Sequence, residues 1–257
     1  MAKSSLSKSG SFWRTDWFAG VAIVLAVVVL HQATDAFDAM ERRFYDFAST
    51  STSRQPSDRI AVIAIDDQSI ANLGRWPWSR DIHAKLIDKL AAAKAKTIAQ
   101  TTFFLEPQVD PGLAFIRKMK LVLTSATDSS AANDQLQQLV AEAEVALDTD
   151  AILATSLKSA GNVLLPSVYT LGEQQGKPDN VLPGFVLKSM IDDPNGYSVS
   201  ANRGQQPIEV IGISAAGIGH LNQSYDSDGY VRQEPLLVNY FGKAVPSMAL
   251  LAAAASL

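Results

Sequence analysis

The chain has no cysteine. That excludes disulfides, thiolate metal sites and cysteine nucleophiles, and it leaves the redox character of the compartment unread. Histidine is scarce as well. The three, His31, His83 and His220, lie far apart with no H-x-x-x-H pair, so no histidine-rich metal site is expected. A basic excess is also lacking: 22 lysines and arginines stand against 26 aspartates and glutamates, a net charge of −4. Such a surface does not neutralise phosphates, and nucleic acid is not expected as a partner. No G-x-S-x-G elbow occurs, which removes the usual sequence mark of a serine hydrolase. Gly217-Ile218-Gly219-His220 lacks the third glycine of a dinucleotide fingerprint, and no P-loop lysine follows it. No cofactor and no catalytic residue are therefore expected.

What is present is apolar. Hydrophobic residues make up 47% and charged residues 19% of 257 residues, enough for a sizeable core in one large domain or two small ones. Lys3, Lys8 and Arg14 precede an apolar run from Trp17 to Leu30. The run alone is shorter than the ~20 residues that span a bilayer. Extended through His31 to Phe37 it is long enough, with Trp13 and Trp17 placed for an interfacial belt. The positive-inside rule then gives a cytoplasmic tail over 1–16, a transmembrane signal anchor over 17–37 and an extracytoplasmic domain over 38–257. This predicts an inner-membrane protein with its bulk in the periplasm. A cleaved signal peptide is disfavoured because the residues after the run make poor cleavage sites, and a buried soluble helix because of the basic flank.

Glu41 to Ala48 reads as an amphipathic continuation of the anchor, and the polar stretch from Ser49 to Asp58 as a linker. Ile60 to Ile65 reads as a buried parallel strand. Asp67 or Ser69 can cap a short helix that Gly74 ends. Trp76-Pro77-Trp78 must be a loop, and Ser79 caps a helix from Arg80 to about Ala93. A second strand is predicted from Thr97 to Phe104. Strand, helix and strand form a βαβ unit, so the fold class expected is α/β: a mixed, largely parallel sheet with flanking helices. Helical stripes run from Asn133 to Leu147 and on to Gly161. Val163 to Pro166 and Leu236 to Phe241 read as strands. Glu173 to Leu182 and Asp192 to Gln206 read as loops. Asp226-Ser227-Asp228-Gly229 signals a hairpin turn. Met248 to Leu257 reads as an alanine-rich helix with no cap and no stop signal, the pattern of a chain cut inside a domain.

Candidate chemistry is thin. Asp66 and Asp67 lie at a strand's carboxyl end, where α/β sheets bind ligands, and could hold a cation or a polar ligand. Capping by one of them is the plainer reading. Asp226 to Gly229 resembles half a calcium loop, but Pro235 stands where the twelfth-position glutamate is needed. Trp76 and Trp78 could line an apolar pocket, with burial in the core as the plainer expectation.

These residues carry a resemblance. Ile63-Ala64-Ile65-Asp66-Asp67-Gln68-Ser69-Ile70 and Leu73-Gly74-Arg75-Trp76-Pro77-Trp78-Ser79-Arg80 closely resemble the signature of CHASE2 domains, extracytoplasmic sensory modules of bacterial receptors. The likeness continues at Gly161 to Pro166, Gly219-His220-Leu221-Asn222, Asp226 to Arg232 and Val245-Pro246-Ser247. It covers most of the chain from about residue 40. In one departure, Ile98-Ala99-Gln100-Thr101-Thr102 has a threonine where the family usually carries an aspartate, which weakens any cation role for Asp66. The resemblance implies a sensory module whose full-length form controls a cytoplasmic serine/threonine kinase or an adenylate or guanylate cyclase. The insert around 107–147 favours the kinase. It also implies a homodimer and an unidentified small-molecule or envelope signal. Its signature residues, Asp66, Asp67, Trp76, Trp78, Arg80, His220, Asn222, Asp228 and Arg232, are the candidate ligand site. An exported metal-dependent enzyme using Asp66 and Asp67, or a purely structural dimerisation module, are the alternatives.

Overall fold

A computed structural model describes residues 16–53, 55, 57–125, 131–193 and 196–257. They fall into two compact units, Met1–Ile65 and Asp66–Leu257. The expectations placed on Lys3, Lys8, Trp13, Arg14 and Pro56 lie outside the described residues.

In the first unit, α1 (Asp16–Ala33) buries none of its residues, and among the described residues it is the helix long and apolar enough to cross a membrane. After Thr34 and Asp35 the chain re-enters a helix, α2 (Ala36–Ser51). Phe44 and Phe47 on α2 are 72% and 70% exposed, so this apolar face is uncovered among the described residues of the unit. The strand expected over Ile60 to Ile65 is not formed. The segment is exposed and pairs with no strand. Six β-branched and small apolar residues have the right side chains, but a strand exists only when a ladder satisfies its backbone groups.

The second unit begins with α3 (Asp67–Leu73), α4 (Arg80–Ala92) and β1 (Ile98–Ala99). Three helices follow, α5 (Pro111–Ser125), α6 (Ala131–Leu147) and α7 (Thr149–Ala160), and lead into β2 (Val163–Leu171). Next come α8 (Gly184–Leu187), β3 (Val199–Gln205), α9 (Glu209–Gly212) and β4 (Gly217–His220). A small hairpin of β5 (Ser224–Tyr225) and β6 (Val231–Gln233) precedes β7 (Leu237–Tyr240), β8 (Lys243–Pro246) and α10 (Met248–Ser256).

β2 organises the sheet. Its first half lies between β1 and β4, parallel to both, with Ile98 opposite Val163 and Gly217 opposite Leu164. Its second half pairs antiparallel with β3, and β3 runs parallel to β7, which returns antiparallel as β8. The α/β class and the flanking helices are as expected. The sheet is mixed rather than largely parallel, because β3 pairs antiparallel with β2 and β8 antiparallel with β7. Parallel pairs join β1 to β2 across α5 to α7, β2 to β4, and β3 to β7.

Pro166 sits inside β2 without harm. Alternate residues of β2 bond towards β1, as when Gln100 N–H donates to the Leu164 carbonyl at 3.0 Å. β1 has ended by the time Pro166 would need a partner on that side. Helix α7 packs on α4, and Ile87, Leu153, Leu157, Val163, Leu165 and Ile218 close the core. Deep burial of such side chains is the main stabilising contribution.

Three local expectations are corrected. The second strand is only Ile98–Ala99, and beyond it Phe104 is buried and its carbonyl accepts from Ile208 N–H at 2.9 Å. The stretch read as a loop up to Gln206 contains β3. Helix α10 does have an N-cap: the Ser247 side chain accepts from Leu250 N–H at 3.1 Å.

Candidate functional site

Two helix N-termini meet at the candidate site, those of α4 and α7. Gln108 joins them. Its side-chain oxygen accepts from Arg80 N–H at 2.9 Å and from the Thr149 hydroxyl at 3.1 Å, while its own N–H donates to Asp150 Oδ2 at 3.0 Å. Asp150 also lies against the Arg80 guanidinium, Nε to Oδ1 2.8 Å, with both side chains 12% exposed. That contact is close but lacks hydrogen-bond alignment, since Nε and Oδ1 have no hydrogen-bond partner of good geometry. Burial pushes the Asp150 carboxyl up, against the attraction of Arg80. Arg80 also donates to the Glu106 carbonyl, and its guanidinium sits 5.4 Å from the centre of the Phe104 ring.

Beside this pair lies a cavity of about 460 Å³, walled by Trp76, Trp78, His83, Phe103 and Phe104, with Glu106 among its lining residues. The rings meet edge to face: Trp76 and Trp78 at 5.3 Å, Trp76 and His83 at 5.8 Å, His83 and Phe104 at 5.4 Å. The chain places Trp76 and Trp78 in a loop, as expected, and the Trp78 indole N–H donates to the Gly74 carbonyl at 2.8 Å. Both are half-buried pocket walls, and the core position expected of them is taken by His83.

Burial favours the neutral form of His83. Gln100 Nε2 lies 3.0 Å from His83 Nδ1, and an amide N–H can only donate, so Nδ1 accepts and the proton sits on Nε2. Burial first, and the Arg80 charge second, hold its pKa below the usual histidine value. The cavity therefore offers aromatic faces, a neutral imidazole and an arginine already balanced by Asp150. It suits a flat apolar or cationic group better than an anion.

The other signature residues are elsewhere. Asp66 caps α3: its Oδ1 accepts from Ser69 N–H at 2.8 Å and from the Ser69 hydroxyl at 2.5 Å. These bonds, the hydroxyl's first, hold its carboxyl below the ordinary aspartate range. Asp67 occupies the first turn of the same helix, where its charge favours the dipole. Among the described residues no group of three or more histidine, aspartate and glutamate side chains could hold a metal. Replacing Asp66 by alanine should lower the thermal unfolding midpoint, whereas Asp66→Asn, which keeps the accepting oxygen, should leave it near that of the parent.

Asp228 and Arg232 belong to the β5–β6 hairpin. Arg232 grips Asp228 with two bonds of 2.8 Å, bonds Asp226 at 2.9 Å and lies over the Tyr230 ring. The two carboxylates that resembled half a calcium loop are thus turned to an arginine, and the hairpin expected here is formed.

His220 and Asn222 are buried at the end of β4. Asn222 acts as a detached piece of strand: its Oδ1 accepts from Tyr169 N–H at 2.9 Å and its Nδ2 donates to the Tyr169 carbonyl. The two glycines just before them serve packing. A Cβ on Gly219 would lie 2.9 Å from the Met248 Cα, so only glycine lets α10 approach β4 this closely.

The structure thus brings Trp76, Trp78 and Arg80 together and leaves Asp66 and Asp67, His220 and Asn222, and Asp228 and Arg232 as separate local structures. It adds His83, Gln100, Phe104, Gln108 and Asp150, which sequence reading missed. The one signal for His83 was its spacing: it follows Arg80 by a helical turn and precedes Ile87 by another.

Comparison with known protein families adds a match over most of the chain. The CHASE2 domain family covers residues 21–257. The chain belongs to the CHASE2 family. CHASE2 domains are extracytoplasmic sensory domains of signalling receptors. No curated protein and no solved structure matches the chain.

Proposed function

We propose that this CHASE2 chain is the periplasmic input module of a receptor in the bacterial inner membrane, held there by α1 and working as a homodimer. The single observation that carries this reading is the sequence of parts: an 18-residue apolar helix with no buried residue, then a folded unit matching a sensory family. The cavity lined by Trp76 and Trp78 is where a small-molecule or envelope signal would be read. A ligand bound there acts only if it prefers one of two states of the domain. The output is a cytoplasmic serine/threonine kinase or nucleotide cyclase.

Topology tests the reading directly. Alkaline phosphatase fused after residue 60 should be active and green fluorescent protein at the same point dark. The opposite pair of results would place the domain in the cytoplasm and overturn the proposal.

A further inference from the structure

The cavity beside α4 is walled by rings that cross one another. The planes of Trp76 and Trp78 meet at 76°, those of Trp76 and His83 at 80°, and those of His83 and Phe104 at 78°. Trp78 and His83 are tilted by 47°. A flat ring stacks on faces parallel to itself, so here it can stack on only one wall at a time. A compact group can touch several faces at once. Trp76 and Trp78 are half-buried and Phe103 is 41% exposed, so these rings are open to such a group, whereas Arg80 already lies over Phe104.

Charge narrows the choice further. Among the described residues the charged groups lining the cavity are Arg80 and Glu106. Arg80 is engaged: it pairs with Asp150 and donates to the Glu106 carbonyl. The Glu106 carboxylate lies at the exposed rim, and among the described residues no hydrogen bond or ion pair engages it. Burial keeps His83 from adding a positive charge. The charge left for a ligand to meet is therefore negative. Tryptophan is also the side chain whose ring face attracts a cation most strongly, and two of them stand here.

We infer that this cavity binds a compact organic cation of the alkylammonium class, held against Trp76, Trp78 and Phe103 with Glu106 as its counter-charge. The inference deepens the sensory reading above and rests on it for the claim that the cation is the signal. A volume of about 460 Å³ leaves room for an organic tail beyond the ammonium group. Hydrogen-bond acceptors are scarce at the site. The Gln108 side-chain oxygen is taken by Arg80 N–H and the Thr149 hydroxyl, and the Gly74 carbonyl by the Trp78 indole. A fully alkylated nitrogen has no N–H to satisfy, so it fits better than a primary amine, whose donors would lose their water without replacement.

Titration calorimetry tests this on the full chain in a detergent without a choline head group, at fixed ionic strength. The probes are tetramethylammonium, choline and the uncharged carbon analogue of choline, which has the same shape with carbon in place of the nitrogen. Choline is expected to bind with a dissociation constant of about 1 mM or tighter, and its carbon analogue about tenfold more weakly. Glu106→Gln, at an exposed position, should weaken choline by about threefold and leave the carbon analogue unchanged. Trp76→Leu should weaken choline by about tenfold. Should that variant fail to fold, Glu106→Gln and the carbon analogue still decide. Equal binding of choline and its carbon analogue overturns the cation and leaves an apolar pocket. No saturable heat from either cation up to about 10 mM, or choline binding that the variants leave unchanged, overturns the site. A domain that binds choline but reads cytoplasmic in the fusion test keeps the cation site and loses the periplasmic reading. A periplasmic domain that binds neither cation does the reverse.

Discussion

Asp150→Ala is expected to cost about 3 kcal/mol of folding stability, towards the lower end of the range for breaking a buried ion pair. The cost comes less from the lost attraction than from what remains. Arg80 would keep its place at the start of α4, with 12% of its side chain exposed, and would have no counter-charge. Desolvation already pulls its pKa down, and only Asp150 opposes that. The Gln108 N–H, which donates to Asp150 Oδ2 at 3.0 Å, would lose its acceptor as well, a further loss of about 1 kcal/mol. Asp150→Asn should cost less, because it retains an oxygen for Gln108. The double change Arg80→Met, Asp150→Leu should recover most of the loss, since an apolar pair needs no desolvation to be overcome. Urea titration of the four proteins reads all of this. A single Asp150→Ala variant as stable as the parent, or a double variant worse than the single, would show that the pair does not hold the α4–α7 junction. Because that junction backs the cavity of Trp76 and Trp78, the same variants should shift the tryptophan emission.

How far this site could be read beforehand depends on distance along the chain. Trp76, Trp78 and Arg80 lie within a few residues of one another and carry a loop signal and a cap signal, so they were legible. Asp150 meets Arg80 only because α7 packs on α4, and nothing local announces that. Its neighbour Asp148 looks the same in sequence and does a different job, capping α7 by accepting from Ala151 N–H at 3.1 Å. The same division holds for the fold. Helices α4, α6 and α7 follow from their stripes and ends, and the hairpin from Asp228-Gly229. β3 was read as loop because Asn202, Arg203 and Gly204 have poor strand propensity, yet it is held by ladders on both sides and buries Ala201 completely. Ile60 to Ile65 erred the other way, with strand-forming side chains and no ladder. Strand identity is decided by a partner, and that information is not in the strand itself. Gly219 shows a third kind of gap: the sequence lacks the pattern of a phosphate loop there, but it does not tell that the glycine serves the close approach of α10 to β4.

Folding stability should also fall by about 3 kcal/mol as the pH drops from 6.5 to about 4, and His220 is the main reason. The ring is fully buried. Its Nδ1 accepts from Asn222 N–H at 3.2 Å, so the neutral form carries its proton on Nε2, where no acceptor of good geometry lies. The Leu236 carbonyl favours the charged ring, but burial outweighs it and pushes the pKa down to about 4. The unfolded chain therefore takes up a proton near pH 6.5 that the folded chain refuses until about pH 4. Stability is complete above the upper value and declines through the window below it. His83, also lowered by burial, adds to the slope in the same direction. The carboxylates held low by their bonds, Asp66, Asp81, Glu144 and Asp193, lose their contributions only below their ordinary values of 3.8 and 4.5, so they leave most of the window to the histidines. Asp150, pushed up by burial, works in the opposite sense. His220→Asn keeps an accepting oxygen near the position of Nδ1, and its unfolding free energy should be lower at pH 7 but nearly flat from pH 6.5 to 5 once His83→Gln is combined with it. A parent protein equally stable at pH 7 and pH 4.5 would mean that burial does not hold the His220 pKa below its unfolded value, and would overturn the prediction. The prediction bears on function because CHASE2 domains lie outside the cytoplasm, where the pH follows the surroundings. Acid would then act on the β4–α10 junction, where His220 lies beside Ser247, and through His83 on the wall of the aromatic cavity as well.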